Sequence, residues 1–411
     1  MNPIVTSCIH YFRFFVFIGV LSFAIWPLLY VLFKSKSFKS SLTLDELVTI
    51  VIPAFNEESV IEHTILSIER NKYPKKEIII VNDGSTDNTK ELALKAAKNT
   101  HIRVIDIERQ GRANAVNEGV RASEGKIILV TDADVIVAEN WIEKMVAPFV
   151  DPKIGAVGSP IYSHEPKTFI QKWQQAYNLV VLDFFKRCMD SVNGMLFISG
   201  ASGGFRKEAL EKIGFFDKKL RTLATMDVTI RIKKAGYKVR YVTDTYVHTF
   251  EPTKKKQFFK RHDRWFAGLT KIAKKHSTTV FNPKAGSIGM LTLPLSLFQS
   301  LGLSIIALIY ISLLMIHLSL TLSFNFLLYE LIWIGICILV FTLIFAVMTI
   351  AAYRVNNVPL SSAKIAMAFL WAPLSIYTAG KIVSKIFSKN KKQGTTYETY
   401  RDSLLVPQID Q

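Results

Sequence analysis

Asp132 and Asp134 flank a single alanine at the end of an apolar run. Two carboxylates held that close repel one another unless a cation stands beside them, and a hard divalent cation carrying diphosphate oxygens suits such a pair. Two more polar clusters follow apolar runs, Pro53-Ala54-Phe55-Asn56-Glu57-Glu58 and Asn82-Asp83-Gly84-Ser85-Thr86-Asp87. Asp-Gly-Ser is also a turn sequence, and Asp87 and Asn88 read as turn and cap residues. Farther along stand a carboxylate in Thr225-Met226-Asp227 and a basic, aromatic stretch, 253–275, that contains Arg261-His262-Asp263-Arg264-Trp265. That stretch has the composition of an amphipathic helix lying at a membrane surface. His248 stands alone; it could supplement a metal site, but a lone histidine is more often a structural residue than a ligand.

These clusters need elements that bring them together. Val48–Pro53, Glu77–Asn82, Ile102–Ile107, Lys126–Thr131 and Ile154–Gly158 are continuous apolar runs, the pattern of parallel strands buried on both faces. Helical periodicity lies between them: Val60, Ile61, Ile65 and Ile68 share one face, and Ala113, Val116 and Val120 share another. Strand–helix alternation of this kind predicts an α/β fold with a doubly wound sheet, whose ligands bind beyond the carboxyl ends of the strands. The polar clusters sit at those ends. The helix predicted over Phe169–Lys186, with Trp173, Tyr177 and Phe184, reads as packing.

The chain has 411 residues, 50% of them hydrophobic and 20% charged, which excludes a disordered chain. Its net charge of +18 fits an anionic partner: nucleic acid, anionic lipid or an acidic substrate such as a nucleotide-sugar. Long uncharged runs favour lipid and nucleotide, and no nucleic-acid-binding motif is present. The three cysteines, Cys8, Cys188 and Cys337, are too scattered for a disulfide framework or a metal knuckle. Phe14–Phe33 is 20 residues without a charge, the length of a membrane span. Lys34, Lys36 and Lys39 follow it and place the next domain in the cytosol. Further spans are predicted over about Ile288–Ile316 and Leu331–Tyr353, and Ile365–Gly380, short and holding Pro373, reads as a re-entrant or interfacial helix or a third span. The organisation expected is a membrane helix and basic linker (1–40), a cytosolic domain (41–252), an interfacial segment (253–284), a membrane region (285–388) and a polar tail (389–411).

Taken together, Ile52-Pro53-Ala54-Phe55-Asn56-Glu57, Val81-Asn82-Asp83-Gly84-Ser85, Gly111-Arg112-Ala113-Asn114-Ala115-Val116-Asn117-Glu118-Gly119, Asp132-Ala133-Asp134, Ser199-Gly200-Ala201, Thr225-Met226-Asp227 and Arg261-His262-Asp263-Arg264-Trp265 resemble the membrane-bound inverting glycosyltransferases of family 2, the cellulose, chitin, hyaluronan and poly-N-acetylglucosamine synthases. The resemblance implies a GT-A type, Rossmann-like nucleotide-sugar domain with a mostly parallel sheet, in a multi-pass protein of the cell membrane. It implies a UDP-sugar donor, UDP-N-acetylglucosamine by preference, and a growing β-linked polysaccharide as acceptor. A polyprenyl-phosphate or lipid-linked glycan, glycosylated once, is the alternative, and accessory secretion subunits are expected in some relatives. Mg²⁺ or Mn²⁺ would sit on Asp132 and Asp134. Asp83 would accept the uracil N–H, with Ala54, Asn56, Glu57 and Asp132 lining the nucleotide-sugar site. Arg112 stands where the family often has lysine, and a surface cation at a helix start is its other reading. Asp227 matches the general base that a weakly nucleophilic sugar hydroxyl requires, although a helix N-cap is its other role. The residue before it, usually glutamate, is Met226. Ser199, Gly200, Arg261, Arg264 and Trp265 would contact acceptor and diphosphate, since an aromatic face suits a pyranose and a guanidinium fork suits phosphate.

Overall fold

A computed structural model describes residues 3–33, 46–98, 101–220, 222–321 and 324–367. They fall into two compact units, one of residues 46–261 and one of 3–33 with 262–367.

Among the described residues, the first unit holds ten strands. β1 (Val48–Ala54), β2 (Lys76–Asp83), β3 (Ile102–Ile107), β4 (Ile127–Val130), β6 (Ile154–Gly158), β8 (Gly203–Arg206) and β9 (Lys238–Tyr241) form one sheet in the order β3-β2-β1-β4-β8-β6-β9. β5 (Val135–Val137), β7 (Ile161–Ser163) and β10 (Val247–Thr249) form a second sheet, ordered β5-β10-β7. β1 is buried along its whole length, as the apolar runs predict for a central parallel strand. Helices α1 (Ile61–Glu69), α2 (Thr89–Ala96) and α3 (Arg112–Ala122) connect the parallel strands, and α4 (Ala224–Lys234) precedes β9. Ile50, Ile52, Ile61, Ile65, Ile78, Ile80, Leu129 and Trp141 form the centre of the core.

Two features differ from the sequence reading. β8, too short and glycine-rich to read as a strand, runs antiparallel to both β4 and β6. The predicted helix over Phe169–Lys186 is interrupted: Phe169–Tyr177 opens with a capping box from Thr168 and Gln171, residues 178–184 widen into a π-turn, and α-geometry resumes over Phe185–Ser191.

Among the described residues of the second unit, three helices are long and apolar enough to cross a membrane: Ser7–Leu32, Ile288–Thr321 and Phe324–Val355. The last begins earlier than expected and takes in Glu330. Its side chain is buried, 3.5 Å from Arg13 Nη1, and accepts a 2.5 Å hydrogen bond from Tyr310 Oη. Arg13 also faces the rings of Tyr329 and Trp333. A charge in such a bundle is kept by a partner of opposite sign, and here that partner is on the N-terminal helix. The segment from 368 onward and the linker 34–45 lie outside the described residues, and with them most of the expected re-entrant helix, the polar tail and the three flanking lysines.

Candidate active site

The site follows from strand direction. Parallel strands β1, β2 and β4 end on the same edge of the sheet, which carries Ala54, Asp83 and the turn Asp132-Ala133-Asp134. An antiparallel strand begins where its parallel neighbour ends. β8 pairs Gly203 with Val130, so the loop before it comes alongside the Asp132 turn. Thr131 Oγ1 donates to the Ala201 carbonyl at 2.9 Å across that junction. The second sheet works likewise. Thr249 pairs with Val135, which carries the chain leading to Glu251 back past Asp134.

Arg112, at the start of α3, ties two of these parts together. Its Nε donates to Asp132 Oδ1 at 2.6 Å and its Nη2 to the Gly200 carbonyl at 2.8 Å. A Cβ on Gly200 would stand 2.9 Å from Arg112 Nη2, so a side chain there would push the guanidinium aside. Ser199 accepts a 2.5 Å hydrogen bond from Lys186 Nζ. Lys186 is fully buried, and burial pushes its ammonium down to about 8.

The aspartate turn is pinned from below. Thr64 Oγ1, on α1, donates to the Ala133 carbonyl at 2.8 Å and lies 3.2 Å from the Val135 N–H. Asp132 and Asp134 are each half-buried. Asp134 is held above the usual carboxylate range, first by burial and then by the charge of Asp132, while Arg261 pulls the other way. Arg261 Nη1 is 2.5 Å from Glu251 Oε2, and Glu251, wholly buried, also accepts from Asn178 and Thr249. A divalent cation fits this donor set, because it would relieve the mutual repulsion of the aspartates. No group of three or more histidine, cysteine, aspartate or glutamate side chains gathers at metal-binding spacing among the described residues.

Asp83, at the end of β2, is 1% exposed. Its Oδ1 accepts from the backbone N–H of Gln110 at 2.8 Å and of Gly111 at 3.1 Å. Its Oδ2 accepts from the Gly111 N–H at 2.9 Å and from Arg109 Nη1 at 2.7 Å. The loops after β1 and β2 are laced to each other: Asn56 N–H donates to Ser85 Oγ, Thr86 N–H to Asn56 Oδ1 and Glu57 N–H to Thr89 Oγ1. Asp87 accepts from the Thr89 N–H at 3.0 Å, the capping role its sequence suggests.

Asp227 is wholly buried in the first turn of α4, with its Oδ2 2.8 Å from Arg231 Nε and Nη2. It is not the helix N-cap: α4 starts earlier, from Leu223 in a left-handed conformation, and the Asp227 N–H donates to the Leu223 carbonyl. Arg231 in turn donates to the carbonyls of Ile213 and Phe215. His248 lies among Tyr162, His164 and Tyr246, and burial lowers its basicity. Arg264 and Trp265 belong to the second unit, on the helix Lys255–Lys275 that begins in the first; the Trp265 ring lies 5.1 Å from His262.

The structure thus gathers Arg112, Asp132, Asp134, Gly200 and Arg261 at one edge of the sheet. Sequence reasoning missed Arg109, Lys186 and Glu251. Their contacts come from pairings between distant segments, and only Glu251, a carboxylate beside Pro252 at a strand end, leaves any signal in the sequence.

Comparison with known proteins agrees with this architecture. The model of the family described as Glycosyl transferase family 2 matches residues 49–214. This stretch is a glycosyltransferase family 2 domain. The chain is 31% identical over 234 residues to a poly-beta-1,6-N-acetyl-D-glucosamine synthase of Staphylococcus aureus (strain COL), covering 56% of this chain and 57% of that one. It is 27% identical over 270 residues to the synthase of the same name from Staphylococcus epidermidis (RP62A), covering 63% and 65%. The matches therefore span less than two thirds of these relatives. Among solved structures, the mannosyltransferase PcManGT from Pyrobaculum calidifontis, in complex with GDP-Man and Mn²⁺, superposes with a TM-score of 0.65 at 18% identity, over 94% of this chain and 100% of that one. The fold is that of the GT-A type nucleotide-sugar domains.

Proposed function

We propose that the protein is an inverting glycosyltransferase of the cell membrane, with its catalytic domain in the cytosol, that moves a sugar from UDP-N-acetylglucosamine to a growing β-linked polysaccharide. The observation that carries this reading is the convergence of two mutually repelling aspartates with two arginines and a glycine carbonyl at the carboxyl edge of the sheet. That is an arrangement for a diphosphate and its counter-ion. The named relatives support the sugar and the polymer. Mg²⁺ or Mn²⁺, held by Asp132 and Asp134, would supply charge neutralisation on the departing diphosphate.

The chain's own groups do the rest. Arg112 and Arg261 flank the aspartates and would bind diphosphate oxygens with planar forks. Asp83, with Asn56 and Glu57 nearby, receives the uracil. Ser199 and Gly200 present the acceptor. Asp227, oriented by Arg231, takes the proton from the attacking hydroxyl; the hydroxyl oxygen bonds to the anomeric carbon as UDP departs, and attack from one side inverts the linkage.

The test is UDP release and product mass from the purified full chain with a panel of UDP-sugars. Turnover should require a divalent cation, stop on EDTA addition, and yield a polymer series with UDP-N-acetylglucosamine. Asp227→Asn should abolish turnover while UDP binding stays within error of wild type; Tm should fall, because the buried pair with Arg231 loses one charge. Metal-independent turnover, or a single-sugar product extractable into organic solvent, would overturn the reading.

A further inference from the structure

We propose that Arg109 plugs the nucleobase slot: its guanidinium lies on Phe55 and against Asp83, in the place the donor base takes, and must swing out before the base can enter. The inference rests on the reading that Asp83 receives the base. The Arg109 guanidinium carbon stands 3.2 Å from the centre of the Phe55 ring, while Nη1 donates to Asp83 Oδ2 at 2.7 Å. A flat cation stacked on an aromatic face with an in-plane N–H on a carboxylate presents what a uracil ring with its N3–H would present. The two compete for one surface and one oxygen.

Asp83 has little capacity left. Three donors already occupy it, the Gly111 N–H shared between both oxygens, and a carboxylate offers about four lone-pair sites. Two of the three donors are backbone groups, of Gln110 and Gly111, fixed at the start of α3. The backbone there is also pressed against the β2 turn: Gly84 has φ +68°, and a Cβ on it would stand 2.9 Å from Arg109 N. Only the Arg109 side chain can give up its place. It is 34% exposed, so solvent is open to it when it leaves.

Displacing the plug opposes binding, so its removal should tighten binding of the base. The full-length chain in detergent is titrated with uridine, which lacks phosphates and reports on the slot alone, and with UDP. Arg109→Ala should bind uridine about five- to thirtyfold tighter, the range set by a stacked, ion-paired guanidinium. Arg109→Lys keeps the cation but loses the plane, and should bind UDP at least about threefold tighter. Unchanged or weaker uridine binding by Arg109→Ala, or UDP binding by Arg109→Lys no tighter than wild type, would overturn the plug and make Arg109 an ordinary contact. Wild type that binds GDP but neither uridine nor UDP would instead overturn the base assignment beneath it.

Discussion

Lys186 sits where burial weighs heavily on its charge. It is fully buried, has one hydrogen-bond acceptor, Ser199, among the described residues, and faces the rings of Phe197 and Tyr241 at 5.0 and 5.6 Å. Desolvation holds it at about 8, below the ordinary lysine value of about 10.4. A lysine lowered on folding binds fewer protons in the native state than in the unfolded chain between those two values. Its destabilising contribution is therefore full below about pH 8 and fades as pH rises toward about 10.4. Lys186→Met should raise Tm at pH 7, with the gain shrinking by pH 10, as scanning fluorimetry would read; a gain that does not change with pH would contradict a buried ammonium. That a fold tolerates this burden beside Ser199 and Gly200 marks the ammonium as a support for the loop.

Thr64 shows how an element positions a site it does not enter. One hydroxyl on α1 serves both ends of the Ala133 peptide region, donating to the Ala133 carbonyl and accepting from the Val135 N–H. Thr64→Val leaves two buried backbone groups unsatisfied, about 1–3 kcal/mol each. The expected outcome is a lower Tm together with at least about a tenfold loss of Mn²⁺-dependent turnover, since a loosened turn misplaces both carboxylates. Loss of stability without loss of turnover at low temperature would show that the turn holds its shape unaided. Much of this level was legible beforehand. β1, β2, β3, β4 and β6 lie within a residue or two of their apolar runs; all but the edge strand β3 are buried on both faces, and such strands have little choice of composition. β8 was not, because Gly203-Gly204 carries no strand signal and its place between β4 and β6 is decided by partners far away in sequence. The start of α4 was missed for a related reason: Leu223 adopts φ 55°, a conformation its side chain gives no reason to expect. Arg112 and the aspartate pair could be picked out by type and position, but the contact of Arg112 with Gly200 depends on that unseen strand.

At the scale of the molecule, the three long apolar helices carry a polar tie that the hydropathy pattern placed in a loop. Glu330 and Arg13 come from helices at opposite ends of the chain, with Tyr310 from a third. Glu330→Leu should destabilise the chain by about 3–5 kcal/mol by leaving Arg13 without its counter-charge, and Arg13→Leu in the same chain should recover most of that. Detergent-resistant Tm measured for the three variants checks it, and additive losses would deny the pairing. The sheet order has a consequence of another kind. During synthesis, β3, β2, β1 and β4 emerge before the segment that becomes β8, so the edge of β4 stays bare in the interval. At about 5–20 residues per second the ribosome leaves that nascent edge open for several seconds, time enough for a chaperone or a neighbouring nascent chain to reach it.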